Sequence, residues 1–277
     1  MYSNLKNLIP TKIFLKLKFL KKIGGFLNFK NPKSFNEKIN YLKIYDDQNI
    51  KSDLQDKLKV KNYVSSIIGE EYIIETLKIL DINVPFEEQL RKFDKFILKT
   101  NFESGIVYFC EDIEKFEFKK IQSQIINSYN KNFHMHGREM HYSRIEKNTF
   151  AEKLLENHKE LLDYKFYCFD GIPMYVHVDR ERYTDHKRSI YTAQWEKIEN
   201  LTIEYKYDPI YLSEPFEFEK MKNIASELSK NFKFVRIDLY NHNKKILFGE
   251  MTFYPGSGFE KFSIKNFDYE FGKLIKI

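Results

Sequence analysis

Two alternating apolar runs, residues 234–240 and 246–253, lie near the end of this chain, joined by four polar residues, Asn241-His242-Asn243-Lys244. This reads as a β-hairpin. Side chains alternate faces along a strand, so Arg236 and Asp238 share one face, as do Glu250 and Thr252. A short hairpin brings the two faces together and gathers two carboxylates, a hydroxyl and a guanidinium. Hard oxygen ligands of this kind suit Mg2+ together with nucleotide phosphates. The segment that follows, Pro255-Gly256-Ser257-Gly258, fits no regular element and leaves backbone N–H groups for an anion. The same pattern also describes an ordinary charged, solvated face of an antiparallel sheet. The residues alone leave both readings open.

Upstream, the pattern predicts a second hairpin over 163–179, turning at Asp170-Gly171. A strand over 93–100, a turn at Asn101-Phe102-Glu103-Ser104-Gly105 and a returning strand over 106–110 precede a helix over 113–130. A polar loop follows over 132–146, then a strand over 149–155. Arg180, Arg182, His186, Lys187 and Arg188 form a basic loop, read as an anion site because arginine forks suit carboxylates and phosphates. A helix over 214–230 leads into the closing hairpin. The first 80 residues read as mainly helical. Ser34 and Glu37 make a capping box for a helix through Tyr45, and another helix spans 51–68 before Gly69. The class is α+β with antiparallel sheets. Three regions are expected: a helical region over 1–80, a first α+β subdomain over 81–155 and a second over 156–277.

Composition excludes some classes of function. Of 277 residues, 42% are hydrophobic, so the chain is not disordered. Lys and Arg number 46 against 40 Asp and Glu; a net +6 is too modest to indicate nucleic acid, and no recognition motif accompanies it. Cys110 and Cys168 stand far apart and read as reduced, buried thiols. His134, His136 and His141 lack a spaced Cys or carboxylate to complete a zinc set. No run is apolar enough to span a membrane, and lysines interrupt any signal-peptide core within residues 1–22. That segment reads as a helix docked on its own domain, with peripheral contact to an anionic membrane as the alternative.

The register R-I-D at 236–238 followed by E-M-T-F-Y-P-G at 250–256 resembles the closing signature of ATP-grasp enzymes such as D-alanine–D-alanine ligase, with Thr252 where most members have Asn. N-P-K-S-F-N-E-K-I-N-Y-L-K-I-Y-D at 31–46, G-R-E at 137–139, D-Y-K-F-Y-C-F-D-G at 163–171, V-R-I-D-L-Y at 235–240 and G-E-M-T-F-Y-P-G-S-G-F at 249–259 look like the TupA-like branch, named for teichuronopeptide synthesis. The resemblance runs from about residue 30 onward. It implies an ATP-grasp fold, two α+β subdomains gripping ATP. It further implies metal contacts at Asp238, Glu250 and Thr252, with Lys99, Ser104 and Gly105 as a phosphate-binding lysine and loop. Glu152, Lys153 and Leu155 would present backbone groups to adenine, Asp163 would lie near the ribose, and Lys187 or Arg188 would reach the terminal phosphates. Arg236 would stabilise the tetrahedral acyl centre.

The implied reaction joins a carboxylate to an amine through an acyl phosphate, with ATP and Mg2+ as cofactors. The expected partners are a carboxylate-bearing sugar or glycan precursor, such as a uronic acid of a bacterial surface polysaccharide, and an amine co-substrate. ATP-dependent chemistry of this kind is expected in the cytoplasm, or at the inner face of the membrane. Competing readings are a glycosyltransferase, against which the absence of Asp-x-Asp counts, and a non-catalytic ATP- or glycan-binding module.

Overall fold

A computed structural model describes residues 8–182 and 184–277. The first seven residues of the basic N-terminal segment therefore lie outside the description. Helix α1 (Thr11–Ile23) buries Leu15 and Phe19 against Leu27 and Phe259, as a docked helix should. Ile13, Leu17 and Leu20 on the same helix face outward. No helix of the described residues is long and apolar enough to cross a membrane.

Helix α2 (Phe35–Tyr45) opens on the expected capping box. The Glu37 N–H donates to Ser34 Oγ at 3.3 Å, and the Ser34 N–H donates to Glu37 Oε2 at 3.1 Å. The helix expected over 51–68 is two, α3 (Ile50–Gln55) and α4 (Lys59–Ile68). Asp56 makes the break: its buried Oδ1 accepts from the Leu58 N–H at 2.9 Å, a local bond that competes with helix continuation.

The first sheet has the order β1-β4-β2-β3, from β1 (Thr76–Leu80), β2 (Phe96–Thr100), β3 (Val107–Cys110) and β4 (Thr149–Lys153). Strand β1 falls inside the stretch read as helical, so this sheet begins before residue 81. Helices α5 (Phe86–Leu90) and α6 (Phe118–Tyr129) cover it, with Ile121 and Ile125 in one core with Phe96 and Leu98. The helix expected to start at 113 begins instead with a 3-10 turn, Ile113–Lys115. The expected loop over 132–146 contains a short helix α7 (His134–Gly137) and a 3-10 segment, Met140–Arg144.

The second sheet has six strands, in the order β10-β9-β5-β6-β7-β8. They are β5 (Asp163–Phe169), β6 (Ile172–Arg180), β7 (Lys187–Thr192), β8 (Lys206–Tyr207), β9 (Phe234–His242) and β10 (Lys245–Thr252). Asp170 and Gly171 both have positive φ (47° and 79°), as do Asn243 and Lys244 (51° and 61°). Two-residue turns of this hand match the twist of the flanking strands. Strand β7 falls where a basic loop was expected. Helix α8 (Phe218–Ser229) packs its buried Met221, Ala225 and Leu228 in one core with Val235, Ile237 and Leu239 of β9. Against the opposite face, α2 and α9 (Lys265–Leu274) close one end through Phe35, which lies 5.0 Å from Phe234 and 5.9 Å from Phe271, centroid to centroid. Cys110 and Cys168 are buried and unpaired. Burial raises their thiols to about 11 and about 12, so neither is a ready thiolate.

Candidate active site

The closing hairpin carries a parity change at Gly249. Phe248 stands opposite Leu239 on the core side, yet Glu250, not Gly249, stands opposite Asp238. Gly249 is the extra residue of a β-bulge, and it moves Glu250 and Thr252 onto the face of Asp238 and Arg236. A Cβ at Gly249 would lie 3.1 Å from the Asp238 carbonyl oxygen, which favours glycine there.

The hairpin thus delivers the expected group. Arg236 donates from Nε to Asp238 Oδ1 at 2.6 Å and from Nη2 to Asp238 Oδ2 at 2.7 Å. The same Nη2 donates to Glu250 Oε1 at 2.8 Å. Thr252 Oγ1 donates to Glu250 Oε1 at 3.1 Å. Burial favours a protonated Glu250, but Arg236, Lys165, Lys57 and Arg182 outweigh it and hold the carboxyl down at about 2. Arg236 is therefore clamped on the two carboxylates rather than presented alone to a substrate.

Across the sheet, Asp238 stands opposite Lys165 of β5, and Asp163 stands opposite Asp179 of β6. Lys165 is buried, with Nζ 2.5 Å from Asp163 Oδ2, 2.7 Å from Asp238 Oδ2 and 3.8 Å from Asp179 Oδ2. Sequence reasoning missed this residue, although a lysine two positions from Asp163 in an otherwise apolar strand is a readable signal. Asp163 also takes Arg182 Nη1 at 2.7 Å, while its buried Oδ1 accepts no bond from the described residues.

Lys187 and Arg188 part company. Arg188 shares the face of Asp179 and forks onto it at 2.6 and 3.0 Å, and its Nη1 donates to the Ile203 carbonyl. Lys187 points from the other face and pairs with Glu181 at 3.1 Å and Asp185 at 3.2 Å. Strand alternation at β7 separates them, so of the two expected cations only Arg188 joins the charged face, and it is already satisfied. Arg182 and Lys165 supply the cations nearest Asp163.

On the first sheet, Lys99 of β2 and Glu152 of β4 stand diagonally apart and form an ion pair. Glu152 also holds Lys61 of α4 at 2.5 Å and is buried. Beyond any backbone role, Glu152 thus orients Lys99 through its carboxylate. Lys153 is exposed and Leu155 half-buried at the end of the strand, and Ser104 and Gly105 are exposed in the turn after β2. Lys57, between α3 and α4, donates from Nζ to the Glu103 carbonyl at 2.5 Å. Burial lowers its pKa, while Glu250 raises it and Lys99 lowers it further. Lys57 thus senses charges of both sheets. Lys57 and Lys61 come from the helical region, which carried no site residue in the sequence reading.

The donor chemistry fits Mg2+: Asp238 and Glu250 converge on one guanidinium nitrogen, and among the described residues the hydrogen bonds to Glu250 fall on Oε1. Among the described residues, no three His, Cys, Asp or Glu side chains form a metal-binding group. Thr252, backbone groups, water or phosphate would have to complete the coordination. His141 is buried, and burial lowers its pKa to about 3.

The first sheet is antiparallel throughout and the second is antiparallel except for the parallel β7–β8 pair, an α+β arrangement consistent with the expected ATP-grasp fold. The family model for TupA-like ATP-grasp proteins matches residues 37–276, and the chain belongs to that family. No curated protein matches the sequence. Among solved structures, it is similar to the ATP-grasp ligase PsnB complexed with minimal precursor (11% identity, TM-score 0.40, 76% of this chain and 54% of that one). It is also similar to N5-carboxyaminoimidazole synthase from Aspergillus clavatus (13% identity, TM-score 0.43, 74% of this chain and 46% of that one). D-alanine–D-alanine ligase from Helicobacter pylori is a third (15% identity, TM-score 0.43, 87% of this chain and 69% of that one). The chain spans about half the length of the first two.

Proposed function

We propose that this protein is an ATP-dependent carboxylate–amine ligase that activates its acid as an acyl phosphate, and that the acid is a uronic acid of a bacterial cell-surface polysaccharide or its precursor. The observation that carries this reading is the convergence of Asp238 and Glu250 on Arg236, with the Lys57 ammonium feeling the charges of both Glu250 and Lys99. Phosphoryl transfer asks for positioning and charge neutralisation more than covalent help from the protein. Mg2+, held by Asp238 and Glu250 beside Thr252, would neutralise phosphate charge. Lys99 and Lys57 would pair with phosphate oxygens, Asp163 would meet the ribose end of the nucleotide, and residues 152–155 would border adenine. Arg236, released from one carboxylate, would face charge developing at the acyl carbon. ATP supply favours the cytoplasm, and the basic α1 suits the inner membrane face.

The test supplies ATP, Mg2+, glucuronic acid and hydroxylamine and measures ADP and hydroxamate. Equal amounts of both support the reading, and ADP without hydroxamate counts against it. Asp238→Asn and Glu250→Gln separate a ligase from a binding module: turnover should disappear in a ligase, whereas glycan binding by a module would persist.

A further inference from the structure

Beside the charged face lies a cavity of about 440 Å³. Lys18 and Lys22 of α1, Lys165, Arg182, Arg188 and Arg236 line it, together with the carboxylates of Asp179, Glu204 and Glu260. Glu260 is 6% exposed, and among the described residues its Oε2 has no hydrogen-bond partner. A buried carboxylate oxygen without a donor is costly and asks for an explanation. No Lys or Arg forms an ion pair with Glu260 among the described residues, although the Arg236 and Arg188 guanidinium groups are near enough to oppose the rise that burial gives its pKa.

The chain builds this position with care. Asn36 of α2 accepts from the Glu260 N–H at 3.0 Å and donates from Nδ2 to the Glu260 carbonyl at 2.8 Å. Asn40, one turn on, donates to the Gly258 carbonyl at 2.7 Å, and Lys43 donates to the Ser257 carbonyl at 2.7 Å. Three residues on one face of α2 therefore hold the loop over 257–260. Gly256 has φ 50°, and a Cβ there would fall 2.1 Å from Glu260 Cγ. Any side chain at 256 would expel the carboxylate from its place.

From this placement we propose that Glu260 binds the amine co-substrate and accepts its proton. The proposal rests on the ligase reading above and adds the residue that handles the nucleophile. As the amine nitrogen bonds to the acyl carbon, the carbon–oxygen bond to phosphate breaks and phosphate leaves with the electron pair. An amine that arrives as ammonium first gives one proton to Glu260 Oε2, which frees the lone pair for attack; the second N–H proton leaves with phosphate, and Glu260 returns its own to solvent.

Glu260→Gln keeps the shape and removes the base. The experiment supplies ATP, Mg2+ and glucuronic acid with either hydroxylamine, already neutral at pH 7, or ethanolamine, which is mostly ammonium there. The expected result is hydroxamate formation near the wild-type rate and amide formation slowed about 100- to 10,000-fold, the usual worth of a positioned base. Retained hydroxamate also reports an intact fold, and Glu260→Asp should recover part of the amide rate. In Glu260→Gln only the neutral amine reacts, so its amide rate should rise with pH in proportion to neutral ethanolamine, more steeply than the wild-type rate. Equal loss of both products, or amide formation at the wild-type rate, overturns the proposal. A wild-type protein that makes no hydroxamate overturns the ligase reading itself, and this proposal with it.

Discussion

Lys165 Nζ lies 2.7 Å from Asp238 Oδ2, across the β5–β9 pair, and the same ammonium touches Asp163. One buried cation therefore ties the expected metal carboxylate to the expected ribose neighbour. Lys165→Met would leave Asp163 with only Arg182 and Asp238 with only Arg236. Breaking a buried pair by removing one partner costs about 3–5 kcal/mol. A loss of that size is the expected outcome, measured by urea unfolding of the two proteins.

Glu152 shares its carboxylate between Lys61 and Lys99. Lys61→Met removes the competitor, so Lys99 closes more tightly on Glu152 and releases less readily to a phosphate. The KM for ATP should rise about tenfold, equivalent to roughly 1.4 kcal/mol, with little change in kcat. Lys61→Arg should restore most of it. Steady-state kinetics with varied ATP checks both.

Asn36 joins α2 to Glu260 and also donates to Asp268 Oδ1 at 3.1 Å. Asn36→Ala leaves buried polar groups unpaired, at about 1–3 kcal/mol. Because the loop carrying Glu260 loses its clamp, amide formation should fall more than hydroxamate formation. Denaturation curves and the two product rates together check this.

The closing hairpin was legible because its turn chemistry and alternation agree, and so was the capping box at Ser34. The apolar positions even record the bulge: Ile246 and Phe248 have one parity, Met251 and Phe253 the other, with Gly249 between. What was not legible depends on distance. Nothing local in the helical region says that Lys57 reaches Glu103 or that Lys61 reaches Glu152, 91 residues away. Strand β1 lacks an apolar alternation, with Lys78 and Ile79 both exposed, so only its pairing with β4 makes it a strand. The basic run around Lys187 reads as a loop, yet its charges are paired: Arg188 on Asp179 is a buried bond and Arg180 on Asp208 a half-buried one. The family motif at 31–46 reads as a capped helix, and its clamp on residues 257–260 appears only in three dimensions.

His141 and His177 are fully buried, and among the described residues none of their ring nitrogens has a hydrogen-bond partner, although His141 Nε2 lies 4.0 Å from Glu139 Oε2. Burial lowers the His141 pKa to about 3 and moves His177 well below its ordinary value. Between the unfolded value of about 6.5 and the folded value, the unfolded chain binds protons that the native chain does not. Stability is then fully present above pH 6.5 and falls as pH drops towards 3. His141→Phe should flatten that fall, as read from urea midpoints between pH 4 and 7.

Oxygen transfer tests the central claim most directly. Glucuronic acid labelled with 18O in its carboxylate, incubated with ATP, Mg2+, ethanolamine and the protein, should give phosphate carrying one 18O per turnover, because the acyl phosphate keeps a carboxylate oxygen on phosphorus when the amide forms. Unlabelled phosphate released alongside ADP would mean that water, not the carboxylate, takes the phosphoryl group, and would contradict the account.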